Sequence, residues 1–460
     1  MLFSSISFIY YFLPIVLIVY FIVPKKFKNI VLLLFSLFFY FYGEGIYVVF
    51  LLLSCFVNYV VGLLIDKSEG FKRKLYLIIG IIFNISLLFY FKYTNFFIDN
   101  VNYLLGTSFN IGKIIMPLGI SFFTFQTLSY IIDVYKKEIK ADYSFIDLSC
   151  YVTLFPQLVA GPIVRYQTIK EELKKKEISY DNFAYGIERF IFGLSKKVIL
   201  ANNFGVLVDL LNKTELSILS AWLIAIAYTL QIYFDFSGYS DMAIGLGRIF
   251  GFKFLENFNY PYIAKSITDF WRRWHISLSS FFRDYVYFPL GGNRTSKVKW
   301  LRNILIVWML TGFWHGAAWN FILWGLFFAI VLLIEKLTFG KWIENKKVIN
   351  HIYVIFVVIL SFTIFNANSF SEVLISFKNM FGFNNLPFIN NEFIYYFKSY
   401  LILLVLGIIF STPIVNRLYE KLKKYTIFNY LSILIIFILL IIVTAYLVNS
   451  SFNPFLYFRF

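Results

Sequence analysis

Charged residues are scarce in this chain of 460 residues, since Asp, Glu, Lys and Arg make up only 15% of it. An average soluble domain carries about 25% charged residues, whereas 60% of the residues here are hydrophobic and 22% are aromatic. A fold in water could not cover so much apolar surface, so the composition excludes an ordinary soluble protein. Apolar stretches of membrane-spanning length recur along the sequence and predict an all-α, polytopic membrane protein with about eleven or twelve transmembrane helices.

Cysteine and histidine are equally rare, with two and three residues respectively. Cys55 and Cys150 lie in or beside apolar segments and lack the spacing of metal ligands. Their positions exclude a disulfide framework and a zinc site, and they predict two buried, inert thiols and no bound metal. The formal net charge of +17 comes from Lys and Arg in short clusters between apolar segments. Such clusters are typical of topology signals rather than of a nucleic-acid-binding surface.

The same clusters predict the orientation of the chain. The apolar stretch 6–23 lacks a positive front and a small-residue cleavage site, so we expect a first transmembrane helix rather than a signal peptide. Basic residues at 25–28, 72–74 and 136–140 follow the first, third and fifth predicted spans. Because positive residues favour the cytoplasmic side, a multi-pass plasma-membrane protein with both termini outside is expected. The stretch 145–164, with basic flanks on both sides and Pro and Gly inside it, predicts a re-entrant segment.

The middle of the chain differs in composition from both ends, because it carries Pro, Gly, Asp, Arg and His among its aromatic residues. Polar groups at membrane depth are tolerated only where they face protein or a water-filled cavity. We therefore expect one membrane-embedded domain, 1–460, in which the middle region carries the chemistry. Its expected parts are N-terminal helices in 1–135, a core in 145–325, C-terminal helices in 345–448 and an aromatic tail outside the membrane in 449–460.

His315 is the leading catalytic candidate. It lies in GFWHGAAW (312–319), between apolar stretches that would otherwise be ordinary membrane helix. An ionisable residue within a span indicates function, and a desolvated imidazole is suited to take a proton from a hydroxyl group; a hydrogen-bonded structural histidine is the alternative. His275 lies in the charged, aromatic stretch 269–294, which predicts an amphipathic helix followed by a Gly-Gly turn. His351 is expected at the membrane interface.

A further polar stretch, 231–252, follows an apolar run and contains Asp235, Tyr239 and Asp241. Two carboxylates six residues apart do not share one helical face, so the spacing does not favour a catalytic carboxylate pair. We expect a helix break here, at which the polar side chains line a channel or hold backbone turns, with one of them acting on substrate.

Six segments follow one another in a fixed order between residues 117 and 325: PLGISFFTFQTLSYIIDVY at 117–135, LVAGPIVRY at 158–166, FDFSGYSDMAIGLG at 234–247, ENFNYPYIAKSITDFWRRWHISLS at 256–279, RDYVYFPLGGNR at 283–294 and TGFWHGAAWNFILWG at 311–325. Together they resemble the membrane-bound O-acyltransferases, and among these the bacterial subgroup typified by the alginate O-acetylation transferase.

The resemblance implies an enzyme whose helices form a ring around a central region, where funnels from the two membrane faces meet at a catalytic histidine. His315 matches that histidine within its W-H-G motif, and His275 matches the family's second functional position. His315 is then the expected general base, and His275 is expected to orient the donor or stabilise charge. The residues expected to line the funnels are Asp235, Tyr239, Asp241, Trp274, Trp314, Arg283 and Asn293.

The resemblance also implies reactants and a partner. The donor, a thioester such as acetyl-coenzyme A or an acyl carrier protein, would enter from the cytoplasm, and no tightly bound cofactor is expected. The acyl group would leave outside, through an SGNH-hydrolase-like partner protein. Its acceptor would be an exported polysaccharide, with an alginate-like polymer, cellulose and a secondary cell-wall polymer as the alternatives. Basic clusters at 174–176 and 294–302 would suit an anionic donor, although topology alone also explains them.

The tail NPFLYFRF at 453–460 is similar to aromatic C-termini in related cell-wall D-alanylation and acylation systems, where a tyrosine is proposed to receive the acyl group. That resemblance implies an acyl relay at Tyr457, and an aromatic anchor at the interface is the alternative. The expected activity is O-acylation, with acetyl as the expected group. D-alanyl transfer to teichoic acid is the alternative within the family, and transport of a polysaccharide or lipid without acyl chemistry is the alternative outside it.

Overall fold

The computed structural model describes residues 1–159, 161–449 and 456. Within these residues every regular element is a helix, which confirms the predicted all-α fold. Helices suit apolar sequence in a membrane because they satisfy their backbone N–H and C=O groups internally. The chain forms two compact units: the first comprises Met1–Phe190 and Met242–Leu255, and the second comprises Ile191–Asp241 and the described residues from Glu256 onward.

Ten of the described α-helices begin in the first unit, and the last of them ends in the second. They are α1 Leu13–Ile22, α2 Lys28–Glu44, α3 Val48–Lys67, α4 Gly70–Leu88, α5 Thr94–Leu105, α6 Ile120–Tyr135, α7 Phe145–Thr153, α8 Phe155–Leu158, α9 Tyr166–Lys174 and α10 Tyr180–Ser195.

Buried polar side chains fix the arrangement of α3, α4 and α6 in the first unit. The amides of Asn58 and Asn84 exchange hydrogen bonds of 3.1 and 2.7 Å, and the hydroxyl of Thr127 donates to Asn84 Oδ1 at 2.8 Å. Such bonds contribute only about 0.6 kcal/mol each in a membrane bundle, so they set register more than they add stability. Cys55 and Cys150 are both free and buried in this unit, as predicted.

Twelve of the described α-helices begin in the second unit, and one of them, α12, ends in the first. They are α11 Asn202–Leu211, α12 Ile218–Ile249, α13 Ile267–Arg273, α14 Ile276–Phe282, α15 Lys297–His315, α16 Trp319–Leu337, α17 Gly340–Glu344, α18 Ile349–Asn366, α19 Phe370–Met380, α20 Asn391–Phe410, α21 Ile414–Leu422 and α22 Thr426–Asn449.

Helices α15 and α16 form a tight hairpin at the centre of the second unit. Two glycines let their backbones meet: a methyl group at Gly312 would overlap the carbonyl oxygen of Phe321, and one at Gly325 would overlap that of Trp308. Small residues allow this close approach between membrane helices. The hairpin therefore presents its connecting turn, directly after His315, in one defined position.

Eight stretches of the described chain are long and apolar enough to cross a membrane, which confirms a polytopic membrane protein. They are Lys25–Lys67, Gly70–Leu105, Tyr180–Leu211, Ile218–Ile249, Trp319–Leu337, Ile349–Asn366, Asn391–Phe410 and Thr426–Asn449. The first of them contains both α2 and α3. The count of eleven or twelve spans and the ring of helices stay predictions.

The described part of the stretch 145–164, which is predicted to be re-entrant, contains α7 and α8, which have nine and four residues. At 1.5 Å per residue α7 is roughly 14 Å long, about half the thickness of the hydrocarbon core. Neither helix is long enough to cross a bilayer.

Two predictions of local structure are wrong. The expected helix break at 235–241 is absent, because α12 runs without interruption from Ile218 to Ile249. The carboxylates of Asp235 and Asp241 pair with Lys197 and Lys196 instead, so these residues do not interrupt the helix. The expected single amphipathic helix in 269–294 is two short helices, because the backbone leaves the helical region at Trp274 and His275. The predicted Gly-Gly turn after it is present, with positive φ at both glycines.

Candidate active site

His275 lies at a sharp bend between α13 and α14. Its backbone adopts the left-handed conformation, with φ 44° and ψ 55°, which costs a non-glycine residue about 1–3 kcal/mol and persists only where its surroundings enforce it. Asn257 enforces it here: its main-chain oxygen accepts the N–H of Ile276 at 3.0 Å, and its Oδ1 accepts the N–H of Ser277 at 3.1 Å. The first turn of α14 is thereby capped from a distant loop.

Asn257 also determines which nitrogen of His275 carries the proton. Nδ1 of His275 lies 3.2 Å from Asn257 Oδ1, the same oxygen that accepts the backbone N–H and the hydroxyl of Ser277. A backbone N–H can only donate, so the amide of Asn257 must present its oxygen to this cluster. Nδ1 is therefore the protonated nitrogen and Nε2 carries the lone pair. Nε2 is buried and has no hydrogen-bond partner among the described residues, so the site presents a proton acceptor.

The surroundings of His275 keep its ring neutral. The side chain is fully buried, the ring of Phe236 meets it edge-on with centroids 4.6 Å apart, and the indole of Trp314 lies 6.1 Å away. Residue 275 lies outside the membrane-spanning stretches. Burial lowers the pKa of His275 to about 3, because an imidazolium loses its hydration there. At neutral pH the free Nε2 can accept a hydrogen bond or a proton.

His315 is the last residue of α15, and the chain leaves the helix at Gly316 with an extended backbone. Its side chain is buried within aromatic rings, since the centroids of Trp314, Trp324 and Phe365 lie 5.1, 5.0 and 5.4 Å from the imidazole. The rings of Trp324 and Phe365 stand at 85° and 84° to it. The sequence led us to expect this histidine within a helix, and the structure places it at a helix end.

The indole ring of Trp314 is a neighbour of both His275 and His315. The ring of Trp314 lies 6.1 Å from His275 and 5.1 Å from His315. The structure thus brings together two histidines that are 40 positions apart in the sequence. Both belong to the second unit.

Two ion pairs join α12 to the helical turn Lys196–Ala201. Lys197 Nζ lies 2.5 Å from Asp235 Oδ1, and both side chains are only 3% exposed. Lys196 Nζ lies 2.6 Å from Asp241 Oδ2, and this pair is more accessible, with 27% and 13% exposure. The two predicted carboxylates therefore have separate lysine partners, in agreement with the sequence argument against a carboxylate pair.

The other predicted site residues fall into two groups. Tyr239, Trp274 and Trp314 are buried, and the ring of Trp274 stacks on Phe270 with centroids 5.6 Å apart. The remaining two, Arg283 and Asn293, lie at the surface. Arg283 donates to its neighbour Asp284 at 2.7 Å. Their predicted role in lining the funnels stays a prediction.

Three further expectations concern residues away from the two histidines. His351 is half-buried and its Nδ1 lies 3.0 Å from the main-chain oxygen of Ala264, so it has a structural contact. Tyr457 lies outside the described residues. Among the described residues, no group of three His, Cys, Asp or Glu side chains converges on a point where a metal ion would bind.

Comparison with known proteins identifies the fold family. The model of the membrane-bound O-acyltransferase family matches residues 136–377, a range that contains both histidines. The probable alginate O-acetylase AlgI of Pseudomonas aeruginosa is 41% identical over 398 residues, which cover 83% of this chain and 75% of the relative. The chain belongs to the membrane-bound O-acyltransferase family. It is thus an enzyme that transfers acyl groups to hydroxyl acceptors.

Two other relatives of this membrane-bound O-acyltransferase bear on its substrate. The peptidoglycan O-acetyltransferase of Helicobacter pylori is 39% identical over 424 residues, covering 84% of this chain and 80% of the relative. The teichoic acid D-alanyltransferase of Bacillus subtilis is 37% identical over 248 residues, covering 51% of this chain and 62% of the relative. The resemblance inferred from the sequence motifs is confirmed.

Sequence reasoning missed two residues that organise the site of this acyltransferase. Lys197 belongs to an apolar stretch, and a lysine at membrane depth is a signal of a buried partner that the sequence analysis did not use. Asn257 left no such signal, because nothing in its own segment shows that its amide will meet residues 275 to 277. Its role depends on a contact between a loop and a helix end that only the fold creates.

Proposed function

We propose that this enzyme moves an acetyl group from a cytoplasmic thioester to hydroxyl groups of an exported polysaccharide. The observation that carries the proposal is the buried pair His275 and His315 around Trp314 in a chain of this family. Two relatives that align over more than four fifths of the chain are an alginate O-acetylase and a peptidoglycan O-acetyltransferase. Both names describe O-acetylation of a polymer, alginate in one case and peptidoglycan in the other.

His315 acts as the general base in this proposal. It takes the proton from the attacking hydroxyl while the hydroxyl oxygen bonds to the carbonyl carbon of the thioester. The carbon–sulfur bond then breaks, and the imidazolium returns its proton to the departing thiolate. The aromatic rings around His315 exclude water from this step, which limits hydrolysis of the thioester.

His275 acts as a hydrogen-bond acceptor toward a bound reactant. Because its Nδ1–H is directed to Asn257, the neutral ring has only the Nε2 lone pair to offer. A lone pair orients a hydroxyl or an amide N–H and does not stabilise an oxyanion. Of the two roles expected from the sequence, orienting the donor therefore fits better than stabilising negative charge.

The donor is acetyl-coenzyme A or an acyl carrier protein thioester that enters from the cytoplasm, with no tightly bound cofactor. Both termini lie outside, as the basic clusters predict. An SGNH-hydrolase-like partner passes the group to the polymer. Tyr457 serves as the relay: its hydroxyl attacks the thioester and later gives up the acetyl group to the partner.

Replacing His315 by Ala tests the catalytic role directly. In purified enzyme in vesicles with radiolabelled acetyl-coenzyme A, acetyl transfer should fall by about a hundredfold or more, the usual contribution of a general base. His351→Ala is the matched control and should retain wild-type transfer, since His351 contacts only a main-chain oxygen among the described residues. Wild-type transfer by a folded His315→Ala protein would exclude the assignment. An intact thioester with transported polymer would show a transporter instead.

The second candidate is transfer of D-alanine to teichoic acid, which the relative from Bacillus subtilis favours. Its alignment covers 51% of this chain, against 83% for the alginate O-acetylase, so acetyl transfer is preferred. Offering the purified enzyme acetyl-coenzyme A and a D-alanyl carrier protein in competition separates the two. Label from the D-alanyl donor alone would replace the acetyl proposal.

A further inference from the structure

One buried ion pair in the second unit has a desolvation cost, and a contribution to the stability of the fold does not explain why the pair is there. Lys197 and Asp235 meet at 2.5 Å with both side chains almost completely buried. Removing two charges from water is expensive, and a well-packed apolar pair of the same volume is often as stable or more so. Both residues also lie in membrane-spanning stretches, where ionisable side chains usually serve a function. We therefore expect this pair to bind a ligand, or to make a contact within the protein, that requires a charged group.

The structure supplies such a contact at the far end of the chain. While Asp235 Oδ1 faces Lys197, Asp235 Oδ2 accepts the main-chain N–H of Leu456 at 2.8 Å, across 221 residues of sequence. Leu456 is 3% exposed, and its side chain joins the apolar cluster that includes Leu200 and Phe234. A hydrogen bond to an ionised carboxylate is shorter and about twice as strong as one between neutral groups.

This contact lies close to the residues that surround both histidines. Phe236, the next residue after Asp235, packs edge-on against His275 at 4.6 Å. Leu456 belongs to the same apolar cluster as Trp324, whose ring lies 5.0 Å from His315. The side chain of Leu456 therefore belongs to the apolar cluster that also supplies rings beside His315.

We propose that the Asp235–Lys197 pair is a binding site for the main-chain N–H of Leu456, and that Asp235 thereby positions residue 456 against the catalytic core. Lys197 pairs with Oδ1 of this carboxylate and leaves Oδ2 directed to the N–H of Leu456. The contact with Asp235 uses the backbone N–H of residue 456, which every residue except proline has. The docking itself does not depend on the acyl chemistry, whereas its effect on catalysis rests on the proposed function.

Thiol labelling measures the docking without an activity assay. In the full chain carrying Leu456→Cys, a maleimide should react slowly at position 456. Adding Asp235→Asn should raise that rate by about tenfold or more, because the neutral amide oxygen of Asn is a weaker hydrogen-bond acceptor than a carboxylate. The native thiols of Cys55 and Cys150 are buried, so their protection in the same sample, measured by peptide mass, reports that the protein is folded.

Asp241→Asn is the matched control in the Leu456→Cys chain. It removes the carboxylate of the neighbouring ion pair on the same helix, yet it should leave the labelling rate at 456 unchanged. If Asp235→Asn exposes the native thiols, the charge-balanced Asp235→Asn/Lys197→Met protein takes its place, because it leaves no unpaired lysine. Equal rates in the Asp235 and Asp241 variants, or fast labelling at 456 with Asp235 intact, would overturn the proposal.

Kinetics provide a second readout. Leu456→Pro removes the N–H, whereas Leu456→Met keeps it and keeps a similar volume. The proline variant should show a kcat about tenfold below that of the methionine variant, with an unchanged KM for acetyl-coenzyme A, because positioning the tail should not alter donor binding. Equal kcat values together with faster labelling in the Asp235→Asn chain would confirm the docking and exclude its role in catalysis.

Discussion

The two histidines of this acyltransferase offer different chemistry. His275 has a polar neighbour, Asn257, that fixes its tautomer, and the ring is neutral because burial lowers its pKa to about 3. His315 is packed among the rings of Trp314, Trp324 and Phe365. In the proposed mechanism His275 is a neutral hydrogen-bond acceptor and His315 is the general base, so the two imidazoles do not compete for one proton.

The depressed pKa of His275 predicts a pH dependence of stability. In the unfolded chain a histidine titrates near pH 6.5, while in the folded protein His275 stays neutral down to about pH 3. Below pH 6.5 the unfolded state therefore binds a proton that the folded state refuses, and the free energy of unfolding falls as the pH falls. Thermal unfolding in detergent between about pH 4.5 and 7.5 should show this decline.

His275→Asn removes the titrating group and should flatten the decline below pH 6.5 relative to the wild type. His351→Asn is the control for losing an imidazole, because its ring is half-buried at a main-chain contact, and it should keep the wild-type slope. If the wild type and His275→Asn lose stability in parallel as the pH falls, burial does not hold His275 neutral.

At the scale of the elements, hydrophobic runs predict the membrane helices well and their ends poorly. The sequence is apolar from 46 to 65 and from 430 to 448, and these stretches correspond to α3, Val48–Lys67, and α22, Thr426–Asn449. A third apolar stretch, 217–234, ends where polar residues begin, yet α12 continues to Ile249. A hydropathy profile predicts a break at Asp235 and Asp241, because the lysines that pair with these carboxylates lie on another segment of the chain. The exact end of α15 at His315 was equally hidden, since apolar sequence continues on both sides.

The hairpin of α15 and α16 predicts a strong response to a single methyl group. Gly312→Ala would place a carbon into the carbonyl oxygen of Phe321, and overpacking of this kind costs about 1–3 kcal/mol. The hairpin carries His315 at its turn, so separation of the helices should also displace the imidazole. We expect a lower unfolding temperature and reduced acetyl transfer at the growth temperature.

Met309→Ala is the control on the same helix. Met309 is 43% exposed, so its truncation leaves the α15–α16 contact intact and should change neither the unfolding temperature nor transfer appreciably. A Gly312→Ala protein as stable and active as Met309→Ala would mean that the two backbones do not meet as closely as the structure shows.

At the scale of the whole molecule, the site is assembled from segments that no sequence pattern connects. Periodicity and composition identify each helix separately, and the motifs point to His275 and His315 one at a time. The bond from Leu456 to Asp235 spans 221 residues, and such contacts depend on the tertiary fold rather than on local sequence. This is why the family and the membrane setting could be predicted from the residues, while the role of Asn257 and the identity of the partner of Lys197 could not.

The distribution of basic residues predicts that both termini lie outside the cytoplasm, which the relay at Tyr457 requires. Lys421, Lys423 and Lys424 directly precede α22, and positive residues next to a span are retained in the cytoplasm. Because the 24 residues of α22 extend roughly 36 Å at 1.5 Å per residue, the helix should carry the chain to the outer face.

Alkaline phosphatase, which is active only outside, should therefore be active when fused to either terminus and inactive when inserted after Lys347. A fluorescent protein that folds only inside should give the opposite pattern. Replacing Lys421, Lys423 and Lys424 by Gln leaves the sequence of α22 unchanged but removes the positive residues that retain its first end in the cytoplasm. We therefore expect a mixed orientation of α22 together with a loss of acetyl transfer. Phosphatase that is inactive at the C-terminus of the wild-type chain would rule out a relay by Tyr457 on the outer side, while docking of Leu456 on Asp235 would be unaffected.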